Sequence, residues 1–392
     1  MMIELLLLLL PVAAASGWMA AKQHHQKNIQ NEPIPKDYFT GLNFLLNEQP
    51  DKAVEVFIKL LEVNADTVET HLALGHLFRK QGEVDRAIRI HQNLIARPQL
   101  TKAQRNQALF ALAKDYFSAG VLDRSERLFL DAFDENNRDL DSLQHLLDIY
   151  QQEKSWEQAI EIAKKLTALT GKSQHVEIAH YYCELAEKAL HTKELGQARH
   201  LLKQALASDK HNARALLLKA KIEASLQDYQ TAIHTLESIK ENNPAYFSET
   251  IPLLVIYHQQ SNKRYDLFSF LEKSLVDCPR ISTALVLTQQ LQQSHPERAY
   301  LFLKNYLTAH PSLRGLYALL ELASQLPTQN NASCAQADEK IPLIQTLLAP
   351  TLLNHPIYLC QHCGFSGKTL LWLCPSCKQW NVIKPILGLE GE

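Results

Sequence analysis

The chain has 392 residues, 46% of them hydrophobic, with 40 basic side chains against 42 acidic ones and a formal net charge of −2. That length allows two or three ordinary domains, and the balanced, interspersed charge argues against broad nucleic-acid binding by the body of the protein. Seven cysteines, four of them clustered near the end, do not read as a disulfide scaffold.

Leu5 to Ala21 is a run of seventeen residues without a charge. It just reaches across a bilayer core, which needs about 17–25 residues, so residues 1–21 are expected to form a transmembrane anchor. A cleaved signal peptide is the rival reading, since small residues follow the leucines. Against it, Glu4 precedes the run and no Lys or Arg does, whereas a signal peptide leads with positive charge. A buried core helix is the third reading. Lys22 and Lys27 follow the run, and the positive-inside bias places the bulk of the chain in the cytoplasm, with Trp18 at headgroup level. Residues 22–36 then serve as a juxtamembrane linker.

Residues 37–323 carry a repeat. A small residue follows an apolar one, a large residue comes three later, and a second small residue twelve after the first is followed by a large apolar one. Gly41, Ala53, Phe57 and Leu60 form one unit; Leu74, Gly75, Phe78, Gly82, Ala87 and Leu94 the next. Ala113, Tyr116, Gly120, Ser125 and Phe129 give a third, Tyr150, Ala159, Ala163 and Leu166 a fourth. Ala186, Ala198, Leu202 and Ala205 make a fifth, and Ala220, Ala232, Leu236 and Ile239 a sixth. Two less regular units follow, one with Leu254, Leu267 and Leu271, the other with Leu287, Ala299, Leu303 and Tyr306.

Units of about 34–37 residues resemble tetratricopeptide repeats. Small residues let two helices cross closely while the aromatic fills the hole beside them. Gly82 and Gly120 fall in the turns between helices, and Pro98, Pro244, Pro279 and Pro311 close units where a helix stops. The expected fold is all-α, a superhelical solenoid of about eight helix pairs that gains its core by stacking neighbours.

Residues 324–341 turn polar and read as a linker. Pro342 is expected to start a capping helix within residues 342–356. In the last segment, 357–392, Cys360-Gln361-His362-Cys363-Gly364 is followed ten residues on by Cys374-Pro375-Ser376-Cys377. Two C-x-x-C pairs at that separation place four thiolates around one metal ion, and an S4 shell suits zinc or iron. Gly364 and Pro375 fit the tight turns such knuckles need. All four positions are filled, which does not suit a catalytic zinc site with its open position. Iron in such a shell could carry an electron, either metal would hold the module together, and His362 reads as an exposed knuckle residue. A module of about thirty residues cannot fold on burial alone, so the metal supplies folding energy.

Lys368, Lys378 and Lys384 are a modest charge for nucleic-acid binding, and Trp372 and Trp380 are expected to dock on the repeats or on a protein. No phosphate loop, G-x-S-x-G elbow or H-E-x-x-H motif is present, and His180, His200 and His234 form no constellation with a nucleophile. No catalytic residue is nominated, and an enzyme is not expected. Cys183, Cys278 and Cys334 read as isolated thiols.

The leucine-rich start, the repeat stack and the stretch from Cys360 to Gly388, with Trp372, Trp380 and Ile383-Lys384-Pro385-Ile386, together resemble the lipopolysaccharide assembly protein B family of Gram-negative bacteria. The resemblance covers the whole chain. It departs slightly at the anchor, where Glu4 stands close to the apolar run and Pro11 interrupts it. It implies a rubredoxin-like metal module folded against the repeats, with Cys360, Cys363, Cys374 and Cys377 binding one Fe or Zn ion. It implies an adaptor at the inner membrane, facing the cytoplasm, that works with the membrane protease FtsH to control turnover of the LpxC deacetylase. Inner-membrane lipopolysaccharide transport and sensing proteins are further implied partners. A scaffold for lipopolysaccharide synthesis and transport proteins is the alternative function. A homodimer is left open.

Overall fold

The structure is a computed structural model. It describes residues 68–325 apart from 99, 136–138 and 262–266, residues 335–392, and a few isolated positions before 68. The expected anchor (apart from Trp18 and Met19), the linker 22–36, most of the first repeat unit and Cys334 lie outside the described residues. Among the described residues no helix is long and apolar enough to cross a membrane.

The helices run in pairs joined by short turns. They are α1 (Val68–Lys80) with α2 (Val84–Ile95), α3 (Lys102–Ser118) with α4 (Leu122–Glu135), and α5 (Leu140–Gln152) with α6 (Trp156–Thr170). The next are α7 (His175–His191) with α8 (Leu195–Ser208) and α9 (Ala213–Ser225) with α10 (Tyr229–Asn242). A 3-10 turn, Pro244–Thr250, leads into α11 (Ile251–Gln260), followed by α12 (Leu267–Asp277), α13 (Ile281–Ser294), α14 (Pro296–Ala309), α15 (Leu313–Gln325) and α16 (Ala335–Asn354). The all-α repeat stack expected from the sequence is therefore present.

Five of the turns close in one way. The chain enters the left-handed region two residues past the first helix, at Gly82, Gly120, Lys154, Lys193 and Gln227, with φ between 58° and 83°. The following amide donates back into the helix: Glu83 N to Phe78 O, Val121 N to Tyr116 O, Ser155 N to Tyr150 O, Glu194 N to Ala189 O and Asp228 N to Glu223 O, at 2.8–3.0 Å. This is the six-to-one bond of a Schellman ending, which satisfies carbonyls the helix leaves open. Glycine takes the conformation without strain, whereas a side chain there costs about 1–2 kcal/mol. Three of the five turns accept that cost because the helices on both sides hold them.

The chain divides into two compact units, 1–145 and 146–392. In the first, Ala87, Leu94, Ala108, Ala113 and Phe129 are buried, and His145 stacks on Phe129 with ring centroids 4.9 Å apart. Gly75 is small for a reason: a Cβ there would collide with the ring of His91. His91 in turn hydrogen-bonds through Nδ1 to the buried Asp115, whose other oxygen accepts from Arg79 Nη1 at 2.6 Å. A buried carboxylate is tolerable only with such partners.

In the second unit, Ala159, Ala163, Ala186, Ala198, Ala220 and Ala232 occupy the crossings and are fully buried. Arg214, also buried, is held by Glu184 at 2.8 Å and Glu187 at 3.0 Å. Pro244 begins the 3-10 turn at its first position, where its missing N–H costs nothing, and the turn buries Tyr246 and Phe247. α16 differs from expectation. It starts at Ala335, inside the expected linker, and Pro342 and Pro350 lie within it. Proline removes one backbone donor from a helix but does not reset its start when earlier residues already propagate the turn.

The chain ends in a small ribbon. β1 (Tyr358–Cys360) lies between β2 (Ser366–Gly367) and β3 (Ile383–Pro385). Both pairings are antiparallel, with Leu359 opposite Ser366 on one side and Lys384 on the other.

Candidate metal centre

Two knuckles with the same backbone build the site. In the first, Cys360 N donates to Phe365 O at 2.7 Å and Gly364 N to Cys360 O at 3.0 Å; in the second, Cys374 N donates to Gln379 O at 2.9 Å and Lys378 N to Cys374 O at 2.9 Å. The residue after each second cysteine takes positive φ, 78° at Gly364 and 57° at Lys378. Glycine satisfies the first turn freely; in the second, lysine holds the strained position and Pro375 lies one residue past Cys374 on the exposed side. β1 delivers Cys360, and an isolated bridge between Leu373 and Trp380 closes the second knuckle around Cys374 and Cys377.

This geometry brings together all four cysteines named from the sequence. Their sulfurs lie within 4.8 Å of one another, with Cys360 to Cys377 at 3.8 Å and Cys363 to Cys374 at 3.6 Å. A tetrahedron with metal–sulfur bonds of about 2.3 Å has edges of about 3.8 Å, so the spacing fits one metal ion. The donor chemistry agrees. The backbone N–H of Phe365 holds the Cys363 thiol down at about 6, while burial and the neighbouring sulfurs push Cys377 up to about 12. Four sulfurs this close cannot all be thiolates unless a cation sits among them. Such an ion would be held by Cys360, Cys363, Cys374 and Cys377 and would lock both knuckles; zinc and iron both suit the shell. Cys360 and Cys374 are buried, Cys363 is exposed, and His362 is exposed beside Gln379 rather than turned to the sulfurs.

The second knuckle also aims two tryptophans into the repeats. Trp380 stacks on His180, with centroids 5.0 Å apart and planes 19° from parallel, and meets Trp156 and Tyr181 edge-on at 6.0 and 5.8 Å. Its Nε1–H donates to Gln151 Oε1 at 3.1 Å. Trp372 packs between His180 and Tyr246, at 5.8 and 5.1 Å. Tyr246 Oη lies 2.8 Å from Asn381 Oδ1 and 3.1 Å from the Ile383 carbonyl. Tyr358 Oη donates to Glu249 Oε1 at 2.6 Å, and burial raises the Glu249 carboxyl above its usual range. At the far edge, Glu392 accepts from Ser282 Oγ and from Arg314 at 2.9 Å. Aromatic pairs of this kind contribute about 0.5–1.5 kcal/mol each beyond the area they bury.

His180 was named from the sequence only to note that it had no nucleophile. It is instead the plate on which both tryptophans rest. Burial, with Arg214 nearby, holds its imidazole down at about 3, so it is neutral, and Asn212 lies 3.5 Å from its Nε2. Gln151, Trp156, Tyr246 and Glu249 were not singled out for this role at all, because inside a repeat they look like ordinary packing residues. His200 and His234 stay on the surface, and His234 pairs with Glu237 on its own helix at 3.2 Å. Cys183 is buried, and burial pushes its thiol up to about 12.

Fold and site together define a tetratricopeptide-repeat protein that carries a four-cysteine ribbon seated on its own repeats. A profile described as rubredoxin metal binding domain matches residues 358–385, one for the tetratricopeptide repeat matches 70–103, and one for the tetratricopeptide repeat protein 21 ARM repeat matches 131–269. Lipopolysaccharide assembly protein B of Escherichia coli (strain K12) is 38% identical over 393 residues, covering 100% of both chains. The protein of that name from Haemophilus influenzae is 34% identical over 403 residues, covering 99% of this chain and 100% of its own. The chain belongs to the lipopolysaccharide assembly protein B family. A solved tetratricopeptide repeat protein from Parabacteroides merdae aligns with 73% of this chain and 97% of its own at 13% identity and a TM-score of 0.32, which adds nothing to that assignment.

Two outcomes follow from the geometry. Cys374→Ser is expected to lose the bound metal, measured by elemental analysis, and to expose Trp372 and Trp380 in fluorescence, because a serine hydroxyl stays protonated where a thiolate is required. Cys278→Ser serves as the control and keeps its metal; a Cys374→Ser protein with one metal per chain contradicts the site. The second outcome concerns pH. The folded pKa of His180 lies below the unfolded value, so the unfolded chain takes the proton first, and the stabilisation is complete above about pH 6.5 and falls away as pH drops towards the folded pKa. Between pH 7.5 and 5.5 the wild type should therefore lose about 1 kcal/mol more stability than His180→Phe in urea unfolding; equal losses would exclude His180 as the buried neutral group.

Proposed function

We propose that this chain is a non-enzymatic adaptor in lipopolysaccharide assembly, anchored at the inner membrane with its bulk in the cytoplasm, and that it promotes FtsH-dependent proteolysis of the LpxC deacetylase. One observation carries the non-enzymatic part. The four cysteines fill every position of the tetrahedron, which leaves no open place for water or substrate, and the tryptophans beside them are spent on packing against the repeats. A catalytic metal site keeps a free coordination position. The name of the full-length relatives, lipopolysaccharide assembly protein B, supports the process in which the adaptor works.

The rest of the proposal rests on the physical logic of such an adaptor. A repeat stack offers extended surface for protein segments, and tethering it in the plane of a membrane protease raises the effective concentration of one for the other. The second reading is a scaffold that gathers lipopolysaccharide synthesis, transport and sensing proteins without a role in proteolysis; the length of repeat surface favours it equally.

The two separate in cells. Depleting the protein is expected to lengthen the half-life of LpxC several-fold in a pulse-chase and to raise lipopolysaccharide content. An unchanged half-life, with the transport proteins still recovered on co-purification, would reject the proteolytic role and leave the scaffold.

A further inference from the structure

A groove of about 410 Å³ lies between α8 and α9 in the second unit. Its floor is apolar, with Leu202 and Ile222 buried and Leu206 half-buried. Arg199, His200 and Lys203 of α8 line one wall, and Lys219 and Glu223 of α9 the other. Glu223 is already engaged: Lys219 Nζ lies 3.5 Å from its Oε1, and Thr235 Oγ1 donates to its Oε2 at 2.8 Å. The side chains of Arg199, His200 and Lys203 are exposed and have no hydrogen-bond or ion-pair partner among the described residues.

This positive wall departs from its surroundings. The chain as a whole has a net charge of −2, yet residues 195–208 hold three basic side chains and no acidic one. Arg199 and Lys203 stand one turn apart, where like charges repel and cost the helix stability. The adjacent groove, between α6, α7 and α8, has the opposite balance, with Glu157, Glu161 and Glu194 against Lys164 and Lys188. A cleft lined by one sign of charge over apolar walls concentrates ligands of the other sign.

We propose that this groove holds an extended acidic segment of a partner protein, its carboxylates on Arg199 and Lys203 and an apolar side chain on the floor. The spacing favours such a segment. Residues four apart on a helix place their Cβ atoms about 5–6 Å apart, and alternate residues of an extended chain are about 6.5 Å apart. Carboxylates at alternate positions therefore meet both cations, and the Arg199 guanidinium can take its own through two parallel N–H bonds. A single phosphate headgroup would bring its charge to one point, whereas the wall spreads its charge along a full turn of α8. Residues 1–67 have no two acidic side chains at alternate positions and residues 326–334 have no charge, so neither stretch supplies the pattern from within the chain. The site rests on the adaptor reading only in taking the partner to be a protein. Binding by the purified chain can fail while the LpxC half-life still changes, and the reverse.

The test titrates the full chain, purified in detergent, into a fluorescein-labelled peptide of alternating glutamate and leucine. A peptide with glutamine in place of glutamate is the uncharged control. Fluorescence anisotropy is expected to show saturable binding of the acidic peptide alone, weakened by added salt because exposed charges are screened. The Arg199→Glu/Lys203→Glu variant is expected to bind about tenfold more weakly or worse, a loss of about 1.4 kcal/mol or more. Lys164→Glu/Lys188→Glu, which makes the same change of net charge in the adjacent groove, keeps the wild-type affinity. All four positions are exposed, and metal content with urea unfolding confirms that both variants stay folded. A wild type that does not bind the acidic peptide would overturn the proposal, as would equal weakening in the two variants. A short-chain anionic phospholipid that binds in place of the peptide, and is lost in the Arg199→Glu/Lys203→Glu variant, would assign the groove to a lipid headgroup instead.

Discussion

The ribbon and its seat on the repeats depend on one electrostatic constraint: four sulfurs within 4.8 Å of one another cannot be jointly ionised without a cation at their centre. Once a metal ion supplies that charge, two short turns that could not hold themselves become rigid, and the positive φ of Gly364 and Lys378 is sustained. The ribbon has only eight residues in its three strands and a small core, Cys360, Cys374 and Ile383 with Tyr358, Phe365 and Val382 packed against them. A metal held by the four cysteines would order it on one side, and the repeats order it on the other.

The second support is as specific as the first. Trp380 is stacked, edge-packed and hydrogen-bonded by four residues from α5, α6 and α7, and Tyr246 reaches from the 3-10 turn to the backbone of the strand that ends the site. The tryptophans are joined to the second knuckle through the Leu373–Trp380 bridge, so the metal shell and the repeats share one rigid connection. The module is therefore better described as a keystone of this unit than as an appendage. The irregular turn at Pro244–Thr250 fits that role: where other repeats use a plain turn, this one spends seven residues to present Tyr246 and Glu249 to the ribbon.

How much of this could be read from the sequence depended on how few residue types a position accepts. Thiolate donors can be only cysteines, and their spacing is local, so the clustering of the four cysteines was legible outright. The helix pairs were legible where small residues recur, because a close crossing admits nothing larger. Of the five matching turns, Gly82 and Gly120 were visible and Lys154, Lys193 and Gln227 were not, since tertiary packing held a left-handed conformation that the side chain disfavours. His180 and Tyr246 were not legible as supports of the site because a core aromatic and an interface aromatic obey the same pattern. The start of α16 was misplaced because Pro342 resembles a helix start and lies instead in its interior.

Hydrogen exchange on the full chain, metal-loaded and after the metal has been removed with a chelator, tests the keystone most directly. Amides of the ribbon must lose protection in either case. If the metal holds the tryptophans in the repeats, protection also falls along α7 (His175–His191) and in the turn Pro244–Thr250, over 100 residues away in sequence from the cysteines, while α1 to α4 are unchanged. Loss of protection confined to residues 358–385, with α7 and the turn exchanging as before, would contradict the account.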